Sequence, residues 1–135
     1  MTLRRRLRAA VDDERGSAVA EFVLVGVLLT TVALAVVQLA LALYVRNTLI
    51  DAAAEGARYA ALAGASPADG VARTRELIGA AVSPAFAADV TAATTTPGGV
   101  EIVEVTVRAS LPVVGLLGPE RGLEVSGHAA VETLD

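Results

Sequence analysis

The chain has 135 residues, 54% of them hydrophobic, with a mean hydropathy of +0.60 and a formal net charge of -4. It contains no cysteine, which excludes disulfide staples and thiolate metal sites, and residues 17–135 are acidic and lack a basic patch, so a nucleic-acid partner has no support. Aromatics make up only 3%, so any core is built from Ala, Val and Leu, thin per residue and favoured by packing against neighbours.

In chain order, the first sixteen residues carry Arg4, Arg5, Arg6, Arg8 and Arg15 against Asp12, Asp13 and Glu14, whereas acids outnumber arginines afterwards. The basic cluster lies on one side of an uncharged apolar run, Phe22 to Val45, with Arg46 and Arg58 near its other end. By the positive-inside rule the N-terminus stays in the cytoplasm and the C-terminal part crosses. As a helix at ~1.5 Å per residue, the run spans about 36 Å, enough for a hydrocarbon core of roughly 30 Å with some tilt. Gly26, Thr30, Thr31 and Gln38 are its interruptions. The run exceeds the ~7–15 residues of a secretory signal peptide. Ala40-Leu41-Ala42 nevertheless mimics a signal-peptidase site, so a secreted part freed near Ala42 is a further reading.

Glu21 stands at the cytoplasmic mouth of this run, five residues after Gly16. One reading is a tolerated interfacial carboxylate, whose cost is lower there than the ~2.5–3.5 kcal/mol charged at a membrane centre. The other is an acid that meets a positive partner during assembly. Cleavage after Gly16 creates an amine at Ser17, about one helical turn from Glu21. Such an amine, on an incoming subunit, attracts a Glu21 carboxylate more strongly near lipid than in water.

Helical signals continue to Ala63. Asn47, Asp51, Glu55 and Arg58 share one face, and Glu55 pairs with Arg58 at i,i+3. Leu49, Ala52, Gly56, Tyr59 and Ala63 form another stripe, and Ala52, Gly56 and Ala60 repeat a small residue every fourth position, allowing close backbone approach. That stripe packs on the protein's own domain, on a neighbouring subunit, or on each in different stretches. Gly64 stops the helix, Ser66 is an N-cap and Pro67 opens a second helix, Pro67 to Val82, with Val71, Leu77, Ile78 and Ala81 inward.

Three strands follow. Phe86 to Ala93 is the weakest, with Phe86, Ala88, Val90 and Ala92 on one face. Val100 to Ala109 alternates with Val103, Val105, Val107 and Ala109 inward, and Leu123 to Val131 with Leu123, Val125, Gly127, Ala129 and Val131 inward. Thr96-Pro97-Gly98-Gly99 is the first turn. The apolar stretch 111–118 either folds onto the core or rests on membrane or a partner. The expected class is α+β: a long N-terminal transmembrane/stalk helix, a short second helix and a small three-stranded antiparallel sheet. His128, the single histidine, is placed on an exposed polar strand face. No Ser-His-Asp set, phosphate loop or metal-ligand cluster is present in the sequence, so the inventory points away from an enzyme and implies no cofactor.

The joint pattern of a basic leader, Gly16, Ser17, Glu21, Phe22 and a long apolar helix resembles the processing site of type IV prepilins. Tyr44-Val45-Arg46-Asn47-Thr48-Leu49 and Ala52-Ala53-Ala54-Glu55-Gly56-Ala57-Arg58-Tyr59-Ala60 resemble the TadE-like family of minor pseudopilins in tight-adherence (Flp, type IVb) pilus systems. The resemblance covers residues 15 to 62. It implies a cytoplasmic leader over 1–16, a long helix over 17–63 (membrane-spanning about 22–45, stalk 46–63) and an extracytoplasmic α+β head over 64–135. Implied partners are prepilin peptidase acting after Gly16, other pilins or pseudopilins, membrane lipid, and a pilus assembly platform driven by a cytoplasmic ATPase. On this reading Gly16, Ser17, Glu21 and Phe22 serve processing. Glu21, Ala52, Glu55, Gly56, Arg58, Tyr59 and Ala60 serve assembly and packing. An uncleaved bitopic membrane protein whose head binds another envelope component is the alternative.

Overall fold

The computed structural model describes residues 2–110 and 122–132, with side chains from Gly16 onward. Contacts divide the chain into two units, one ending at Leu39 and one beginning at Ala40. Helix α1 spans Thr2–Ala61. No proline precedes Pro67, and alanine and leucine dominate, so nothing in the backbone forces a break. Its end is a turn in which the Leu62 N–H donates to the Tyr59 carbonyl (3.3 Å) and the Ala65 N–H to the Leu62 carbonyl (3.0 Å). Gly64 takes φ 84, a left-handed conformation that glycine adopts without a side-chain clash.

Helix α2, Pro67–Ala81, begins where Ser66-Pro67 placed it. Ser66 and Asp69 form a reciprocal capping box. The Asp69 N–H donates to Ser66 Oγ (3.3 Å), and the Ser66 N–H donates to Asp69 Oδ2 (2.8 Å). The Ser66 hydroxyl also donates to Asp69 Oδ2 at 2.6 Å. The buried residues of α2 are Gly70, Thr74 and Ile78. Val71 and Leu77 are partly buried, as expected, but Ala81 is exposed, because the helix packs through the Gly70–Thr74–Ile78 line rather than one turned toward its end.

The sheet has order β1-β2-β3, all antiparallel: β1 Asp89–Thr95, β2 Ile102–Ala109 and β3 Leu123–Ala130. β1 starts later than its alternation implied. Pro84–Ala87 is a 3-10 turn, with Ser83 Oγ accepting from the Ala85 N–H (3.3 Å) and the Phe86 N–H donating to the Ser83 carbonyl (3.1 Å). The fixed φ of Pro84 and the serine cap commit this stretch to a turn. Ala87, not Ala88, is therefore the inward alanine, while Val90 and Ala92 face in as expected. The β1–β2 turn places both Gly98 (φ 64) and Gly99 (φ 87) in the left-handed region. β2 and β3 keep the expected faces, with Val105 opposite Gly127 and Val107 opposite Val125. The apolar stretch 111–118 lies outside the described residues.

The core of this second unit consists of one face of α1 beyond Val45, Ile78 of α2 and the inner face of the sheet. Leu49, Ile78, Val103, Val105 and Val107 are its largest fully buried apolar side chains. With such small side chains the layers must approach closely, and three glycines mark where they do. A Cβ on Gly56 would run into Thr74 Oγ1 and lie 2.8 Å from the Gly70 carbonyl oxygen. A Cβ on Gly70 would sit 2.7 Å from both the Gly56 carbonyl oxygen and Ala60 Cβ. On Gly127 it would enter the backbone of Ala53 and Ala54, so β3 lies directly on α1.

Gly56→Ala and Gly127→Ala are each expected to destabilise the second unit by ~1–3 kcal/mol through overpacking. Gly79→Ala, whose new methyl meets only Pro84 Cγ at 3.7 Å, is expected to be neutral or stabilising by up to about 1 kcal/mol. Thermal unfolding of the full chain in detergent separates the two classes.

The capping box makes a second prediction. Hydrogen bonds from the Ser66 hydroxyl and backbone N–H hold the Asp69 carboxyl below its ordinary 3.8. A depressed carboxyl contributes stability above its unfolded pKa, and that contribution is lost as pH falls through the folded value. The melting difference between wild type and Asp69→Asn is therefore expected to be present at neutral pH and to shrink below about pH 4.

Candidate functional site

The first unit presents Gly16, Ser17, Glu21 and Phe22, the residues assigned to processing from the sequence, on a continuous helix. Ser17 Oγ donates to Glu21 Oε1 at 3.4 Å, so these two polar side chains lie on one face. Gly16 has nothing within 4 Å of where a Cβ would stand. Phe22, the first residue of the apolar run, is 79% exposed, and every side chain from Gly16 to Leu39 is exposed. Among the described residues α1 alone is long and apolar enough to cross a membrane, with a mean hydropathy of 2.5 in its most apolar window and no part of that window buried. These properties are compatible with a single-pass membrane anchor. The two threonines suit that environment. Thr30 Oγ1 donates to the Gly26 carbonyl and Thr31 Oγ1 to the Val27 carbonyl, each at 2.8 Å, so neither hydroxyl needs water.

In the second unit the assembly and packing residues separate into two groups. Ala52, Gly56 and Ala60 are buried. Gly56 and Ala60 lie against Gly70 and Thr74 of α2, and Thr74 Oγ1 donates to the Gly70 carbonyl (2.9 Å) with the Ala52 carbonyl at 3.3 Å. The small-residue repeat is thus used internally, as the docking line for α2. Glu55 and Arg58 face outward and are paired, Arg58 Nη1 to Glu55 Oε2 at 3.3 Å. Tyr59 departs from the stripe assigned to it: it is 45% exposed, and Ala63 is exposed too. The buried positions run Ala52, Ala53, Gly56, Ala57, Ala60 and Ala61, and Tyr59 falls off that face.

Glu55 lines two shallow grooves on this outward surface. One, of ≈ 410 Å³, includes Thr48, Asp51, Arg58 and Leu77, and the other, of ≈ 330 Å³, includes Tyr59, Asp69, Arg73 and Glu76. On the outer sheet face the charges are paired across strands. Arg108 Nε donates to Glu124 Oε2 at 2.8 Å, and this carboxylate raises the guanidinium pKa above its ordinary value. His128, exposed as expected, has Nε2 3.3 Å from Glu104 Oε1. Of the close-approach residues, Gly70 and Thr74 were not singled out from the sequence, and Gly127 was placed inward but not as a contact with α1. A lone glycine inside an alternating strand was the available signal for Gly127.

Glu55→Ala and Arg58→Ala are each expected to change the stability of the second unit by less than about 0.5 kcal/mol, because their pair is exposed and solvent-screened. A melting curve of each variant checks this. A variant that melts like wild type yet fails in assembly assigns the pair to a contact with another molecule.

Comparison with known proteins bears on the long helix. No curated protein and no solved structure matches the chain. A family model described as TadE-like protein matches residues 16–58, beginning at Gly16 and ending at Arg58. Over residues 16–58, about a third of its length, the chain is similar to TadE-like proteins.

Proposed function

We propose that this chain is a minor pilin or pseudopilin of a tight-adherence type IV pilus, cut by prepilin peptidase after Gly16 and used in assembly or initiation of the pilus. The observation that carries this reading is the TadE-like match starting at Gly16, on a helix whose side chains from Gly16 to Leu39 are all exposed. Residues 22–45 hold the subunit in the cytoplasmic membrane with the leader in the cytoplasm and the α+β unit outside. Glu21 then sits at the lipid boundary, where a carboxylate is tolerated but gains from a cationic partner. Removal of the leader supplies that partner, the Ser17 amine, on each mature copy. The assembly platform and its ATPase draw the subunit out of lipid, and pairing of one subunit's amine with another's Glu21 registers the incoming helix at a fixed depth.

A second reading has its own support. The Gly16–Ser17 bond lies inside α1, and a helical peptide bond must unwind before a protease can engage it. An uncleaved bitopic protein whose outer unit binds another envelope component retains that bond. Under the first reading Gly16 eases the unwinding, since glycine disfavours the helix by about 1 kcal/mol relative to alanine.

Intact mass of the protein isolated from its own host is expected to start at Ser17. Recovery of full-length chain alone, with prepilin peptidase active, selects the bitopic reading instead. Gly16→Ala is expected to slow processing. Glu21→Ala is expected to leave processing intact while reducing incorporation into pili, and normal piliation in that strain would remove the pairing role.

A further inference from the structure

Of Thr30, Thr31 and Gln38, the polar interruptions of the apolar run, only Gln38 makes no hydrogen bond within the helix. Thr30 and Thr31 spend their hydroxyls on their own backbone. The Gln38 side chain is exposed, and none of the hydrogen bonds among the described residues involves it. A carboxamide carries two donors and an acceptor oxygen, and leaving these unmet in hydrocarbon is costly. Its depth prevents escape. Gln38 lies seventeen residues beyond Glu21, about 25 Å along a helix, and residues 39–45 remain uncharged before Arg46.

We propose that the membrane-spanning segment pairs in parallel with a second copy of itself along a seam centred on Gln38. Three observations select a second copy as the occupant. Among the described residues no other helix of this chain is fit to cross the membrane and offer Gln38 a partner. A carboxamide is complementary to itself, its NH₂ donating to the oxygen of an identical group. A copy inserted with the same topology brings its own Gln38 to the same depth, which a foreign helix does only if it carries a polar group at that level. The rest of the seam is compatible. On a helix of ~3.6 residues per turn, Val27, Thr31 and Leu34 fall within about 40° of Gln38. Glu21 lies about 100° round, so pairing at Gln38 does not drive two carboxylates together. Interhelical hydrogen bonds of this kind stabilise membrane helix pairs where hydrophobicity, equal in lipid and in the contact, does not. The inference rests on the membrane placement within the proposed function and on neither cleavage nor pilus membership.

The native chain has no cysteine, so single cysteines in the full-length protein report the seam in bacterial membranes by oxidative crosslinking. Disulfide-linked dimers are expected to peak for Thr31→Cys, Leu34→Cys and Ala35→Cys and to be low for Leu29→Cys, Ala33→Cys and Val36→Cys. Adding Gln38→Leu to Thr31→Cys is expected to cut dimer yield about tenfold, and Gln38→Asn to restore part of it. Gln38→Leu makes the segment more apolar, so loss of insertion does not explain the drop. A flat crosslinking profile, an unchanged yield with Gln38→Leu, or crosslinks to a different polypeptide in place of the dimer each overturns the pairing. Extraction by alkaline carbonate is the separate control: retention with no dimer faults the pairing alone, whereas release faults the membrane placement and the pairing with it.

Discussion

The α+β unit depends on close approach of backbones. A chain with 3% aromatics has few large side chains to fill space between layers, so burial is gained by bringing the layers together. Gly56 and Gly70 permit α1 and α2 to touch at their carbonyls, and Gly127 permits β3 to lie on Ala53 and Ala54. The same contacts place Thr74 between two carbonyls, where its hydroxyl is satisfied although its side chain is fully buried. The alanines at 52, 53, 57 and 60 follow from the same requirement, since a leucine at any of them would hold the layers apart.

This constraint also explains what the sequence made legible. Alternation in β2 and β3 was readable because one sheet face is covered and the other solvated, which forces period two on the side chains. The start of α2 was readable because Ser66-Pro67 acts locally, through a cap and a preset φ. The start of β1 was not, because alternating apolar residues at Phe86 and Ala88 compete with Ser83-Pro84, and the local turn chemistry prevails. Gly70 and Gly127 were not assigned as contacts, because a glycine's role is set by which distant backbone arrives against it. Tyr59 shows a different limit. A stripe drawn at three- and four-residue spacing drifts relative to a helix of ~3.6 residues per turn. The actual contact is two residues wide at each turn, so Tyr59 falls outside it.

The candidate processing region was legible for a reason independent of tertiary structure. Gly16, Ser17, Glu21 and the apolar run are a linear pattern on one helix, and no distant residue is needed to complete it. The outward group of Glu55, Arg58 and Tyr59 is the opposite case. Its residue types and spacing are plain in the sequence, but its separation from the buried Ala52, Gly56 and Ala60 emerges only once α2 is docked.

The two stretches of α1 illustrate how one helix serves two solvents. Beyond Val45, an apolar face is removed from water by its own domain, and the driving force is the hydrophobic effect at about 25 cal/mol per Å². From Gly16 to Leu39 no face is covered, and lipid tails are as apolar as the leucines and valines they meet. Moving that segment from lipid to a contact with other helices therefore gains little from hydrophobicity. The balance between lipid and neighbour is decided by terms that lipid cannot supply: close packing at small residues, and partners for polar groups. Thr30 and Thr31 are neutral in this balance because their hydroxyls are already bonded within the helix. Glu21, just before the apolar run, and Gln38, well inside it, are not neutral, because in lipid each carries polar groups that the surrounding tails cannot satisfy.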